Sequence, residues 1–365
     1  MSGTTLNDIA RALGYSKNTI SLALRGDPQI PAATRERIKA MADKLGYRPN
    51  AVVSHLMAQL RSARTSRLQA KLALVNANLD PRAFTEHPTI PIYVEGCERR
   101  AHGLGYDFDR FWLHDPELTA DRWIRILTTR GIKGIVLVGL MDTNHLPAHL
   151  EAVWRRFPSV VTGVRTRDPA LSFCCVDHFD LALSAFERAV GLGYQRPGLV
   201  LDSVIDALVE RRFSAAYHAA QRKLPRSQRI PVFCDVGGVA RSGKFRAWLD
   251  THRPDVVFTL YNSVISWLKA AGRKIPDDVG VIQLEWRASR PEVAGMNQHN
   301  SVTGEAAVDM VVSQIHNNET GIQEFPRSTM IGATWVDGAT VKERTEPGPR
   351  ARSHARKRPR PRSSP

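Results

Sequence analysis

Lys17, Asn18 and Ser21 are the side chains whose types and spacing first suggest chemistry. They sit at the start of a short stretch in which Ile20, Ala23 and Leu24 supply an apolar face, so the three polar groups fall on the opposite side. A cation and a carboxamide near the start of a helix are what base reading in a DNA major groove requires. Lysine bonds guanine or a phosphate, and asparagine offers a paired donor and acceptor to adenine. A small three-helix bundle with a solvated face would carry similar residues, so the surrounding elements decide between the readings.

Those elements form a tight unit. Thr5 is placed to cap a first helix with Asp8 as its capping-box partner, and Leu6, Ile9, Ala10 and Leu13 give that helix one buried face. Gly14 stops it, Tyr15 bridges, and Ser16 caps the second helix, which ends at Gly26-Asp27-Pro28. A third helix is predicted from near Pro31 through Ile38, Met41, Ala42 and Leu45 to Gly46. Two short helices joined by a tight turn and braced by a third make a helix-turn-helix head.

The order of residues here is similar to the N-terminus of LacI/GalR-family bacterial transcription regulators. The resemblance rests on the run from Thr5 through Ser21, on Thr34-Arg35-Glu36-Arg37-Ile38, and on Leu45-Gly46-Tyr47-Arg48-Pro49-Asn50. It implies a head over residues 1–49 whose DNA-contacting set is Thr5, Ser16, Lys17, Asn18, Thr19, Ser21, Arg25, Tyr47, Asn50, His55 and Leu56. Residues 50–60 resemble the family's hinge helix, and Leu56 stands where the family's leucine wedges open a minor-groove base step. Leu22 occupies a position where some members carry arginine, and the basic linker running to residue 71 is longer than usual.

Charge follows the same division. The chain of 365 residues carries a formal net charge of +15, concentrated in the head, the linker and the segment from residue 342 onward, while residues 72–341 are close to neutral. Basicity placed in this way can meet phosphate without crowding a ligand-binding body. Residues 342–365, broken by proline and nearly free of apolar side chains, are predicted to be disordered, acting either as a nonspecific tether on DNA or as a plain solvated terminus. No apolar run approaches the roughly 18 residues that span a membrane and no signal peptide is evident, so a cytoplasmic protein is expected. Cys97, Cys174, Cys175 and Cys234 lack zinc-like spacing and are expected to be reduced, buried thiols.

From residue 72 to 341, short apolar runs alternate with longer amphipathic ones. Candidate strands start at Leu72, Gly134, Val160, Gly198, Val256 and Val279, and candidate helices lie near residues 92–104, 181–191 and 306–315. Such alternation predicts α/β lobes with doubly wound parallel sheets and a ligand at the carboxyl ends of the strands. The family resemblance adds two periplasmic-binding-protein-like lobes, homodimerisation, and chain crossings near Cys175-Val176-Asp177 and near Gln298 and Gly304. It also implies a sugar-like small-molecule effector held by Asn78, Asp177, Arg212, Asn262, Glu285, Trp286 and Gln298. The family's glycine after the arginine is missing around Arg211-Arg212-Phe213, and Glu285-Trp286 replaces a usual pair of aspartates.

Two other motifs are weaker. Gly238 to Lys244 resembles a phosphate-binding loop, but Phe245 follows the lysine where magnesium binding needs serine or threonine. His145 and His149 have a metal-like spacing broken by Pro147. Neither supports a catalytic, cofactor or metal site. The expected function is a ligand-controlled repressor acting on a palindromic operator in double-stranded DNA; the alternative is a nonspecific nucleoid-associated binder.

Overall fold

Glycine and serine shape the head as their positions suggest. A computed structural model describes residues 6–24, 28–47, 70–234 and 241–344. Three helices form the head: α1 (Leu6–Leu13), α2 (Lys17–Leu24) and α3 (Ala32–Lys44). Gly14 turns the chain at φ +70°, and Ser16 Oγ accepts from the Thr19 amide at 3.0 Å, capping α2. Ile9, Ile20, Ala23, Ile38 and Ala42 fill the small core between the helices. Thr5, Arg25, Asn50, His55, Leu56, the hinge segment and residues 345–365 lie outside the described residues, as do the side chains of Asn18 and Ser21.

The body opens with β1 (Ala70–Asn76), α4 (Ala83–Glu86), α5 (Ile90–Gly103), β2 (Tyr106–Trp112), α6 (Ala120–Thr129), β3 (Ile132–Val138), α7 (Glu151–Arg156), β4 (Ser159–Thr162) and β5 (Ser172–Val176). It continues with α8 (His178–Gly191), β6 (Pro197–Val200), α9 (Ser203–Leu208), α10 (Arg212–Gln221), α11 (Arg241–His252), β7 (Val256–Thr259), α12 (Ser263–Ala270), β8 (Gly280–Gln283) and β9 (Gly295–Asn297). The last elements are α13 (Asn300–His316), β10 (Ser328–Ile331) and β11 (Thr334–Val336).

Two sheets result. The first has the order β10-β5-β4-β3-β1-β2, all parallel, and the second has the order β11-β9-β8-β7-β6, parallel except at its β11 edge. Central strands such as β3, β4, β7 and β8 are apolar on both faces because helices cover both sides. The chain passes between lobes three times: from β5 into α8, from β9 into α13, and from β10 into β11. Between β10 and β11 only Gly332 and Ala333 intervene.

The structure differs from the sequence-based boundaries in several places. β1 starts at Ala70, because Ala70 pairs with Tyr106 and Lys71 Nζ donates to Asp109 at 2.7 Å. At the far end, residues 342–344 belong to the second lobe. Lys342 Nζ donates to Asp277 at 2.5 Å, and the Arg344 guanidinium lies 5.0 Å from the Tyr194 ring centroid while donating to the Pro276 and Asp278 carbonyls. Three of the thiols are buried, and burial pushes Cys174 up to about 12 and Cys175 up to about 11; Cys234 is exposed instead. Phe245 is a core aromatic stacked on Trp248 at 5.8 Å, and residues 238–240 of the loop-like motif before it lie outside the described residues. No cluster of histidine, cysteine or carboxylate side chains suited to a metal occurs among the described residues.

Candidate functional site

The carboxyl ends of both sheets face one cavity of about 350 Å³, within the small-molecule range. Its first-lobe wall comes from the α5 entry (His87, Pro88, Thr89, Ile90, Tyr93), the loop after β3 (Gly139, Leu140, Met141) and the end of β4 (Thr162, Gly163, Val164). Its second-lobe wall comes from His178, the α9–α10 region (Ile205, Leu208, Val209, Phe213), Leu260, Tyr261 and Asn262 after β7, Glu285 and Arg287 after β8, and Gln298 after β9. Strand ends supply these side chains because parallel strands all stop on the same edge, where backbone groups leave the ladder and loops diverge.

Glu285 is the polar centre. Its Oε1 accepts from Thr89 Oγ1 at 2.8 Å and from Asn300 Nδ2 at 3.3 Å, both in the first lobe. Its Oε2 accepts from Arg287 Nη2 at 2.9 Å, and the same guanidinium nitrogen donates to Thr89 Oγ1 at 3.1 Å. One carboxylate of the second lobe therefore receives donors from both lobes. Elsewhere around the cleft, Glu210 accepts from Arg165 Nη1 of the first lobe at 3.5 Å and from Arg212 Nη2 at 3.1 Å, and forms an ion pair with Arg167 Nη2 of the first lobe at 3.5 Å.

Two histidines line the cavity, and burial favours the neutral form of both. His87 Nδ1 accepts from the Thr89 and Ile90 amides at 3.1 and 3.2 Å, which caps α5 and leaves the proton on Nε2. Burial lowers its pKa, outweighing the nearby Glu285 carboxylate. His178 is buried edge-on against Phe213, with ring centroids 4.9 Å apart, and its Nδ1 has no partner among the described residues. Burial first, then the Arg212 charge, pulls its pKa down from 6.5 to about 3. The unfolded chain thus binds more protons than the folded one between these values, and stability falls as the pH drops through that window. Urea denaturation of the parent between pH 7.5 and pH 5 should show this residue's contribution declining by about 1.4 kcal/mol per pH unit below 6.5, and His178→Gln should flatten that acid limb.

Of the seven effector residues expected from sequence, Asn262, Glu285 and Gln298 line the cavity. The other four do not, and each has a local task. Asn78 braces loops, donating to the Gly139 carbonyl at 3.2 Å and accepting from the Asp80 amide at 2.9 Å. Asp177 caps α8 through the Phe179 and Asp180 amides. Arg212 is turned to Glu210 and to Met330 Sδ. Trp286 lies off the cavity between two lining residues, its amide donating to the Met296 carbonyl at 2.8 Å. The missing glycine near Arg212 also has a structural account: Glu210 and Arg211 take φ +58° and +60° themselves. The buried Asp206 holds that bend, accepting from the Ser214 hydroxyl at 2.6 Å and the Ser214 amide at 3.2 Å. Sequence reasoning missed His87, Thr89, Tyr93, His178 and Arg287; Arg287 had a visible signal, two residues beyond Glu285 at the same strand end.

A helix-turn-helix head carried on a two-lobed α/β body with a cleft between its sheets defines a DNA-binding regulator with a periplasmic-binding-protein-like domain. Residues 5–50 match the family of bacterial regulatory proteins, lacI family, and residues 186–341 match the periplasmic binding protein-like domain. The head carries the lacI-family match, and the relatives and structural neighbours of the chain are regulators of that family. It is 25% identical over 294 residues to the HTH-type transcriptional regulator PtxS of Pseudomonas putida, covering 77% of this chain and 79% of the relative. It is 24% identical over 333 residues to the regulator CelR of Thermobifida fusca, covering 87% and 93%. Among solved structures it resembles a CelR–cellobiose complex, with a TM-score of 0.56, 22% identity and coverage of 92% and 99%. It also resembles the lac repressor dimer bound to operator and the anti-inducer ONPF, with a TM-score of 0.55, 17% identity and coverage of 93% and 100%. The protein is a DNA-binding transcription regulator and not an enzyme. No helix among the described residues is long and apolar enough to cross a membrane.

Proposed function

We propose that this chain is a cytoplasmic repressor that binds a palindromic operator as a homodimer and is switched by a small, carbohydrate-like effector in the cleft. The observation that carries the effector half of this reading is Glu285, a second-lobe carboxylate bonded to Thr89 and Asn300 of the first lobe at the cavity wall. A ligand seated beside that bridge acts on both lobes at once, so its affinity depends on how far they are closed, and closure is the variable passed to the hinge segments. The DNA half rests on the head: Lys17 is exposed at the start of α2, and Ser16 is spent on capping and on Thr19 Oγ1, 2.8 Å away. The cellobiose complex of a structural neighbour supports a carbohydrate-like starting point for the effector.

Selection of random duplex DNA by the full chain at about 0.15 M salt, followed by sequencing, tests the DNA half. A recovered palindrome is the expected result, and Leu56→Ala should then weaken binding to it while sparing the ligand response. Uniform affinity for all duplexes would replace this reading with the nonspecific binder.

A further inference from the structure

We infer that the carbohydrate-like ligand of the inter-lobe cleft carries a carboxylate and one apolar face, so that it is an acid and not a neutral sugar. This rests on the reading of the cleft as the effector site and narrows its chemistry.

The first observation is the set of hydrogen-bonding roles that the protein itself fixes. His87 must present Nε2–H to the cavity, because its Nδ1 is occupied by two amides. Arg287 has only donors, and its contacts to Glu285 and Thr89 use one terminal nitrogen, leaving Nε and Nη1 without partners among the described residues. Glu285 already accepts from Thr89, Asn300 and Arg287. Two carboxamides of the lining have their orientation fixed: Gln298 Nε2 donates to the Leu284 carbonyl at 2.8 Å, leaving Oε1 as an acceptor, and Asn262 Oδ1 accepts from Gln283 Nε2 at 2.8 Å, leaving Nδ2 as a further donor. A polyol brings a donor with every hydroxyl and needs several acceptors. This wall instead offers fixed donors from three residues to a group that accepts, and a carboxylate accepts with both oxygens.

The second observation is the opposite lining. Met141 and Val164 of the first lobe face Leu208 and Phe213 of the second across the cavity, and these side chains have nothing to offer a hydroxyl. They suit one hydrocarbon face. The third observation is the cluster beside that apolar wall, where the single Glu210 carboxylate is approached by Arg165, Arg167 and Arg212. Glu210 follows the lining residue Val209, and a surplus of guanidinium groups there favours an anion in the neighbourhood of the cleft.

Matched ligand pairs test the assignment on the full chain by isothermal titration at pH 7: glucuronate against glucose, and cyclohexanecarboxylate against cyclohexylmethanol. The expected result is that the acid binds at least ten-fold tighter in both pairs. His87→Asn, which keeps a cap acceptor but removes the Nε2 donor, should shrink that preference. Neutral members binding as tightly as the acids, or no binding by either acid, would overturn the inference. Val164→Trp separates this from failure of the cleft reading itself: filling the cavity should abolish binding of whichever member binds, and binding that survives it would place the ligand elsewhere.

Discussion

Glu285→Ala is expected to abolish the ligand response and to lower stability by about 2–3 kcal/mol, the largest effect of any single change at the cleft. The side chains of Glu285 and Arg287 are 11% and 23% exposed, so the pair is partly shielded from water. Removing the carboxylate leaves a half-buried guanidinium without its charge partner, and strands Thr89 Oγ1 and Asn300 Nδ2 on the facing lobe. Uncompensated charge, not the loss of one hydrogen bond, dominates the cost. Glu285→Gln, which keeps an acceptor oxygen but drops the charge, should fall between parent and alanine variant. Urea denaturation reads the stability term. Small-angle scattering reads the closure term, and a larger radius of gyration in the alanine variant is the expected outcome. An unchanged radius with unchanged ligand affinity would show that Glu285 does not hold the lobes together.

Gly304→Ala should be at least as damaging, by about 3 kcal/mol, through a different mechanism. Gly304 lies where α13 crosses α5, and a methyl group there would stand 3.0 Å from the Cys97 amide nitrogen and well inside contact of the Tyr93 carbonyl oxygen. Gly96 on α5 meets the Ser301 carbonyl in the same way. Both obstacles are backbone atoms of helices, which cannot rotate aside, so the crossing must spread and open the core around Val308 and Val311. Gly96→Ala should reproduce the loss. Denaturant midpoints close to the parent for either variant would show that the helices can separate at little cost.

These two sites illustrate what was legible in the chain. Helical periodicity and turn residues located α1 to α3, and β-rich runs placed the parallel strands, because one buried face or a wholly buried strand leaves a repeating mark in the sequence. Gln298 and Gly304 marked the return crossing by another route, the family resemblance, and periodicity alone would not have placed them. Strand ends are harder to read. Asn78, Asp177, Arg212 and Trp286 all sit near the correct ends, yet each is claimed by a cap, a loop or an ion pair that depends on backbone direction over two or three residues. Asp177 is an instance where the sequence held the answer: an aspartate one residue before a helix is a cap before it is a ligand group. His87 and Thr89 left no periodic trace, since their meeting with Glu285 joins residues nearly two hundred positions apart.

The two-residue link between β10 and β11 has a bearing on how the chain acquires its structure. β10 and α13 complete the first sheet and its helical cover, yet they are synthesised after the whole of β6 to β9. A ribosome that has released residues up to 299 has made nearly all of the second lobe while the first still exposes the ground that Val308, Val311 and Val312 will cover. Most of the later lobe is therefore made before the earlier one can close. Its closing step joins segments more than two hundred residues apart, the kind of pairing that slows folding and prolongs exposure of apolar surface. Chains interrupted before α13 should accumulate as aggregation-prone species and not as a stable first lobe, and chaperone demand should be greatest in that interval of synthesis.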